Sequence, residues 1–194
     1  KEAKQYRHQQ IEKIVEQDDR LMSDYLEGKE PSLDELKRAL RAACLKIKII
    51  PILCGSALKN KGVQLVLDAV VDYLPSPADL PPTRGTHPKT GAEIFRKPED
   101  QEPFTALAFK IASDPFVGSL TFFRVYAGVL KRGSYILNVT KNNQERVGRI
   151  LKMHANQREE IDEIYAGEIG AIVGLKNTTT GDTLCSPEHA ILLE

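Results

Sequence analysis

The sequence predicts an α+β chain in two parts, a helical and αβ first part followed by a small closed β-barrel. Three observations carry that prediction: apolar residues recur at three- and four-residue steps before residue 75, seven prolines crowd the span from Pro75 to Pro103, and short alternating runs separated by turn signals fill the rest. The predicted boundaries are 1–74 for the first part, 75–102 for a proline-rich linker and 103–194 for the barrel. With 41% hydrophobic and 28% charged residues, the composition is that of folded domains and argues against disorder.

Each element has its own signal. Ile11, Ile14, Val15, Met22, Tyr25 and Leu26 lie at helical spacing, and Gly28 is placed to stop the last turn. Ser32-Leu33-Asp34-Glu35 has the capping-box pattern, in which the serine hydroxyl accepts from the glutamate amide and the carboxylate reaches back. Leu33, Leu36, Leu40 and Cys44 then form one apolar face. The β-branched run from Ile47 to Cys54 is too short to favour a helix and reads as a strand. Val63, Val66, Leu67, Val70, Val71 and Leu74 predict an amphipathic helix ended by Pro75-Ser76-Pro77. Strand, loop and helix in that order form the last unit of an α/β domain.

From Pro75 to Pro103 no helical or strand period persists, so this stretch reads as a stiff connector. Beyond it, alternation picks out Thr105, Leu107, Phe109 and Ile111, then Leu120, Phe122 and Tyr126 around Arg124. Tyr135, Leu137 and Val139 follow, and later Ile169, Ala171, Val173 and Leu175. Turn signals at Asp114-Pro115, Lys131-Arg132-Gly133, Lys141-Asn142-Asn143, Ala166-Gly167 and Thr180-Gly181-Asp182 separate these runs. Strands this short, over about 90 residues, favour a barrel with few free edges.

Formal charge is zero, so no global attraction to nucleic acid or an anionic membrane is implied. Its distribution is uneven: seven bases and one acid lie between Lys131 and Arg158, and Glu159, Glu160, Asp162, Glu163 and Glu168 follow with no base among them. That pattern predicts one face for an anionic partner, with Lys131, Arg132, Lys141, Arg146, Arg149 and Lys152 as candidate contacts. Cys44, Cys54 and Cys185 form an odd set without metal spacing and read as reduced thiols of a cytosol-like, cytoplasmic compartment. No apolar run approaches the roughly 20 residues a bilayer demands, so no membrane association is expected. The chain begins at Lys1 without Met, as an excised piece would.

Signals of catalysis are absent from the sequence. It has no phosphate-cradling glycine loop, and Asn60-Lys61-Gly62-Val63 lacks the carboxylate of a guanine-selecting Asn-Lys-x-Asp. His8, His87, His154 and His189 are dispersed, and His154 reads as a structural residue. No metal site and no catalytic residue is assigned.

Cys54-Gly55-Ser56-Ala57-Leu58-Lys59-Asn60-Lys61-Gly62-Val63, with Leu67 to Pro77 after it, resembles the closing strand, base-contacting loop and last helix of the G domain of the elongation factor G family of translational GTPases. The resemblance continues through Asp114-Pro115-Phe116-Val117-Gly118, Phe122 to Gly128 and Met153-His154-Ala155-Asn156. It ends in Ala166 to Lys176 and Thr180-Gly181-Asp182-Thr183-Leu184, and so spans nearly the whole chain. Residues 1–45 resemble the helical insert of that P-loop GTPase domain, and 103–194 its second domain. One departure is Ser119, at a position often basic in the family.

The resemblance implies that amides of Ser56, Ala57 and Leu58 bond the guanine carbonyl, although the same residues suit a plain strand-to-helix turn with Ser56 as a cap. GTP or GDP and Mg²⁺ would belong to the full-length GTPase, and none is expected on this piece, which lacks the phosphate sites. The implied partners are the ribosome, through small-subunit RNA, and the remainder of the G domain and later domains. The expected role is a binding and transmission module of a translocase, not an enzyme by itself. Rival readings are the equivalent piece of a ribosomal-protection or release-type GTPase, a stand-alone RNA-binding barrel, and a hydrolase active in its own right.

Overall fold

A computed structural model describes residues 2–115, 117–154 and 157–193; part of the 114–118 motif and Ala155-Asn156 lie outside them. The chain divides into two compact units, one ending at Pro75 and the other starting at Ser76.

The first unit is helical: α1 (Glu2–Val15), α2 (Asp19–Leu26), α3 (Leu33–Leu45) and α4 (Val63–Tyr73). Asp18 caps α2 by accepting from the Leu21 amide at 3.0 Å. The capping box of α3 forms as its sequence predicts. The Glu35 amide donates to Ser32 Oγ at 3.3 Å, and the Ser32 amide donates to Glu35 Oε2 at 3.0 Å. Ile14, Val15, Leu21, Leu36 and Ala39 form the core of this unit, with Ile11, Met22, Tyr25 and Leu40 packed against it.

The strand predicted over residues 47–54 is not formed. A strand needs a neighbour to take its backbone hydrogen bonds, and none among the described residues pairs with this segment. Ile50 and Ile52 consequently stand 76% and 90% exposed. Helix α4 forms where predicted, yet none of its residues is buried.

Among the described residues the second unit has thirteen strands: β1 (Thr83–Thr86), β2 (Glu93–Arg96), β3 (Thr105–Asp114), β4 (Gly118–Ala127), β5 (Leu130–Lys131), β6 (Tyr135–Asn138), β7 (Asn143–Arg146), β8 (Arg149–His154), β9 (Gln157–Ile161), β10 (Glu163–Ile164), β11 (Ile169–Val173), β12 (Thr183–Cys185) and β13 (Leu192–Leu193). Eight of them form one antiparallel sheet in the order β7-β6-β12-β3-β4-β11-β8-β9. That sheet does not close on itself as the sequence predicts: β7 and β9 are its edges, and a separate two-residue ladder joins β10 to β5. The proline-rich stretch is more than a connector. Its β1–β2 hairpin pairs through β1 with β13 at the far end of the chain, so residues 83–96 belong to the folded second unit. Alternation there is too short to register in the sequence, because each strand has four residues.

The alternating positions of the strands divide between an inner core and outer clusters. The inner core takes Ala106 and Ala108 from β3, Phe123 and Val125 from β4, Ile136 from β6 and Ile172 from β11. The alternating positions Leu107, Leu137 and Tyr126 pack in an outer cluster with Ile94 and Leu193 of the small sheet and with Ile191 just before it. Leu120, Phe122, Ala171 and Val173 form another outer cluster with Leu151 and Met153. A register shift between Ala108 and Lys110 marks a bulge that leaves Phe109 unpaired and 42% exposed.

Candidate functional site

The loop between Gly55 and Gly62 is a tight hairpin. Ser56 and Lys61 face each other: the Ser56 amide donates to the Lys61 carbonyl at 2.8 Å, and the Lys61 amide returns to the Ser56 carbonyl at 3.0 Å. Asn60 adopts φ +50°, and a Cβ on Gly55 would sit 2.9 Å from the Lys61 carbonyl, so the two arms need glycine at that crossing. Gly62, not Ser56, occupies the N-cap of α4, and no side chain caps that helix. The cap predicted for Ser56 is therefore absent.

Ser56, Ala57 and Leu58 are brought together at one side of this hairpin. The Ser56 amide is spent on Lys61, whereas the amides of Ala57 and Leu58 have no acceptor among the described residues. Leu58 is 96% exposed at the tip. Gly55, Ala57, Val63, Val66 and Leu67 help line an open concavity of about 340 Å³ beside it.

In the second unit the structure divides the basic candidates. The β8–β9 hairpin sets Lys152 opposite Glu159, and the β5–β10 ladder sets Lys131 opposite Glu163. Lys131 pairs with Glu163 at 2.8 Å, Arg132 with Glu160 at 2.5 Å and Lys152 with Glu168 at 2.9 Å. Glu163 and Tyr165 are coupled to Lys131: the Glu163 carboxylate raises the lysine pKa, and hydrogen bonds from Lys131 and Tyr165 lower that of Glu163. Hydrogen bonding to Glu168 likewise raises the pKa of Lys152. The basic and acidic segments, read from sequence as separate faces, are thus zipped together, because antiparallel pairing folds one back onto the other.

Lys141 is fully engaged: it lies 3.3 Å from Asp182 and donates to the Thr179 hydroxyl at 2.8 Å and the Asn177 carbonyl at 2.5 Å. Arg146 and Arg149 are exposed and have no ion-pair partner among the described residues. His154 is 3.5 Å from Glu159 on the surface of the hairpin. Sequence reasoning missed the buried network beneath this region. Glu145 accepts from the Lys176 amide at 2.6 Å, the Asn177 amide at 3.2 Å and the Thr178 hydroxyl at 2.7 Å. Asp182 accepts from the Asn138 side-chain amide at 2.8 Å and the Thr179 amide at 2.7 Å. No periodic pattern marks Glu145, since its partners lie more than 30 residues away.

Among the described residues no three His, Cys, Asp or Glu side chains converge as a metal site would require, and no helix is long and apolar enough to cross a membrane.

Residues 103–187 match the family model described as elongation factor G domain 2. Across 96% of its length the chain is similar to the crystal structure of a protein from Thermus thermophilus, ttk003000868, with 26% sequence identity and a TM-score of 0.71. It spans 25% of that protein's chain. The second unit thus resembles a module of a translation elongation factor.

Proposed function

We propose that this chain is the interior piece of a translational GTPase of the elongation factor G type, its second unit docking on the ribosome and its first unit completing a nucleotide domain. The match of residues 103–187 to the second domain of elongation factor G carries this reading. In the whole protein the module would contact small-subunit RNA and pass the nucleotide state of its neighbour to the ribosome during movement of tRNA and mRNA.

The first unit supports the same reading. Leu65, Leu67, Val71 and Leu74 in and just after α4, with Ile47, Ile50 and Ile52, leave a broad apolar surface in water. Such a surface is what a helix and strand of an α/β domain expose when the rest of their sheet is elsewhere. The amides of Ala57 and Leu58 would then bond the guanine carbonyl, with Leu58 shielding the ring.

The sequence has no phosphate loop, and Asn60-Lys61-Gly62-Val63 lacks the guanine-selecting carboxylate, so on this reading hydrolysis belongs to the rest of the longer protein. Isothermal titration should accordingly show no GDP binding at millimolar concentration, and the purified chain should show no GTP turnover with or without ribosomes. Measured turnover would overturn the assignment. The coding sequence upstream of Lys1 should contain a phosphate loop and an Asn-Lys-x-Asp motif.

A further inference from the structure

Three exposed cations of the second unit, Arg146, Arg149 and Lys176, lie about the turn from β7 to β8, and Lys176 is absent from the sequence-derived candidates. Arg146 ends β7 and Arg149 begins β8, so their Cα atoms are at most about 10 Å apart across Val147 and Gly148. The Arg149–Val173 register pair brings the end of β11 alongside, and Lys176 follows three residues later. Glu145 draws that turn in through the Lys176 amide at 2.6 Å, which holds the lysine backbone beside the strand carrying Arg146. Arg146, Arg149 and Lys176 are all exposed, and none has an ion-pair partner among the described residues. Asp162, one step past the last register pair of the β8–β9 hairpin, lies 3.9 Å from Arg132 instead.

The turn beneath this corner is fixed rather than loose. Glu145, 9% exposed, accepts from residues 176–178, Asp182, 3% exposed, accepts from Thr179 and Asn138, and Lys141 closes the far side by donating to the Asn177 carbonyl at 2.5 Å. A buried carboxylate that organises a turn while exposed cations point outward presents net positive charge at little ordering cost. Tyr135, opposite Arg146 across the β6–β7 ladder and 60% exposed, adds an aromatic face beside the cations.

We infer that Arg146, Arg149 and Lys176 form the phosphate-binding corner of this module, taking the backbone of structured RNA and leaving Lys131, Arg132 and Lys152 as internal ties of the sheet. The inference rests on the ribosome-docking reading above. RNA is the occupant because free guanidinium and ammonium groups on a rigid turn suit regularly spaced phosphates, and the aromatic neighbour suits a ribose or base edge.

The test is binding of the 194-residue chain to purified small ribosomal subunits between 50 and 200 mM KCl (about the range in which counterion release is resolved). The triple variant Arg146→Gln, Arg149→Gln, Lys176→Gln should bind about tenfold more weakly, with a log–log salt slope shallower by about two to three. The charge-keeping set Arg146→Lys, Arg149→Lys, Lys176→Arg should retain the slope. The control Lys131→Gln, Arg132→Gln, Lys152→Gln should stay within about twofold of the unaltered chain. A corner variant within twofold of the unaltered chain, a control that loses as much, or weaker binding with an unchanged slope (the mark of a protein contact) would overturn the corner and leave the docking reading standing. Failure of the unaltered chain to bind subunits would remove both.

Discussion

Gly128, with φ +72°, shows how one residue fixes the path between two strands. A Cβ there would lie 2.5 Å from both the Glu102 carbonyl and the Phe104 amide, and both are backbone that cannot yield. Gly128→Ala should cost about 2–4 kcal/mol, read as a lower urea midpoint at an unchanged m-value. Asp182 sets a different expectation at the same scale. Burial pushes its carboxyl pKa up, but the Thr179 amide, the Asn138 side chain and Lys141 outweigh burial and hold it below the usual value. A carboxylate lowered in the folded state contributes stability above its unfolded pKa of about 3.9 and loses it as pH falls through the folded pKa. Unfolding midpoints of the unaltered chain should therefore drop more steeply between about pH 5 and pH 2 than those of Asp182→Asn. At neutral pH the same variant should be destabilised by about 1–3 kcal/mol.

Among the elements, β4 shows why hydrophobic alternation misleads when both faces of a sheet are covered. Phe123 and Val125 point into the inner core, while Leu120 and Phe122 belong to an outer cluster and Tyr126 packs under β1 and β13. A strand with apolar residues on both sides has no unique parity in its sequence. Phe123→Ala, which opens the inner core, should cost about 3–5 kcal/mol by thermal or urea unfolding. Helix α4 offers the opposite test. Leu65 and Val71 are 68% and 78% exposed, so Leu65→Ser with Val71→Ser should change the stability of this chain by no more than about 0.5 kcal/mol each. In the longer protein of the proposed reading the same pair should be strongly destabilising. Equal effects in both contexts would count against a covering sheet.

The whole molecule is two units of unequal completeness. The second has an inner core and two outer clusters, whereas the first has one helical cluster and a bare apolar surface. Amides of β4 and β11 should therefore exchange far more slowly than those of α4, and residues 76–194 should fold when expressed alone. Uniform protection across the two units would contradict that expectation.

Helix positions, the α3 capping box and the main strand segments were legible in the sequence because each depends on neighbours within a few residues. The loop from Gly55 to Gly62 was legible as a motif, though the amide of Ser56 proved committed to Lys61. What the linear pattern left open was decided by contacts between distant residues: which face of each strand is inner, the pairing of Gly85 with Leu193, and the neutralisation of Lys131, Arg132 and Lys152 by later acids. Local propensity sets what a segment can become, but strand register and charge pairing arise only when residues far apart in the chain meet.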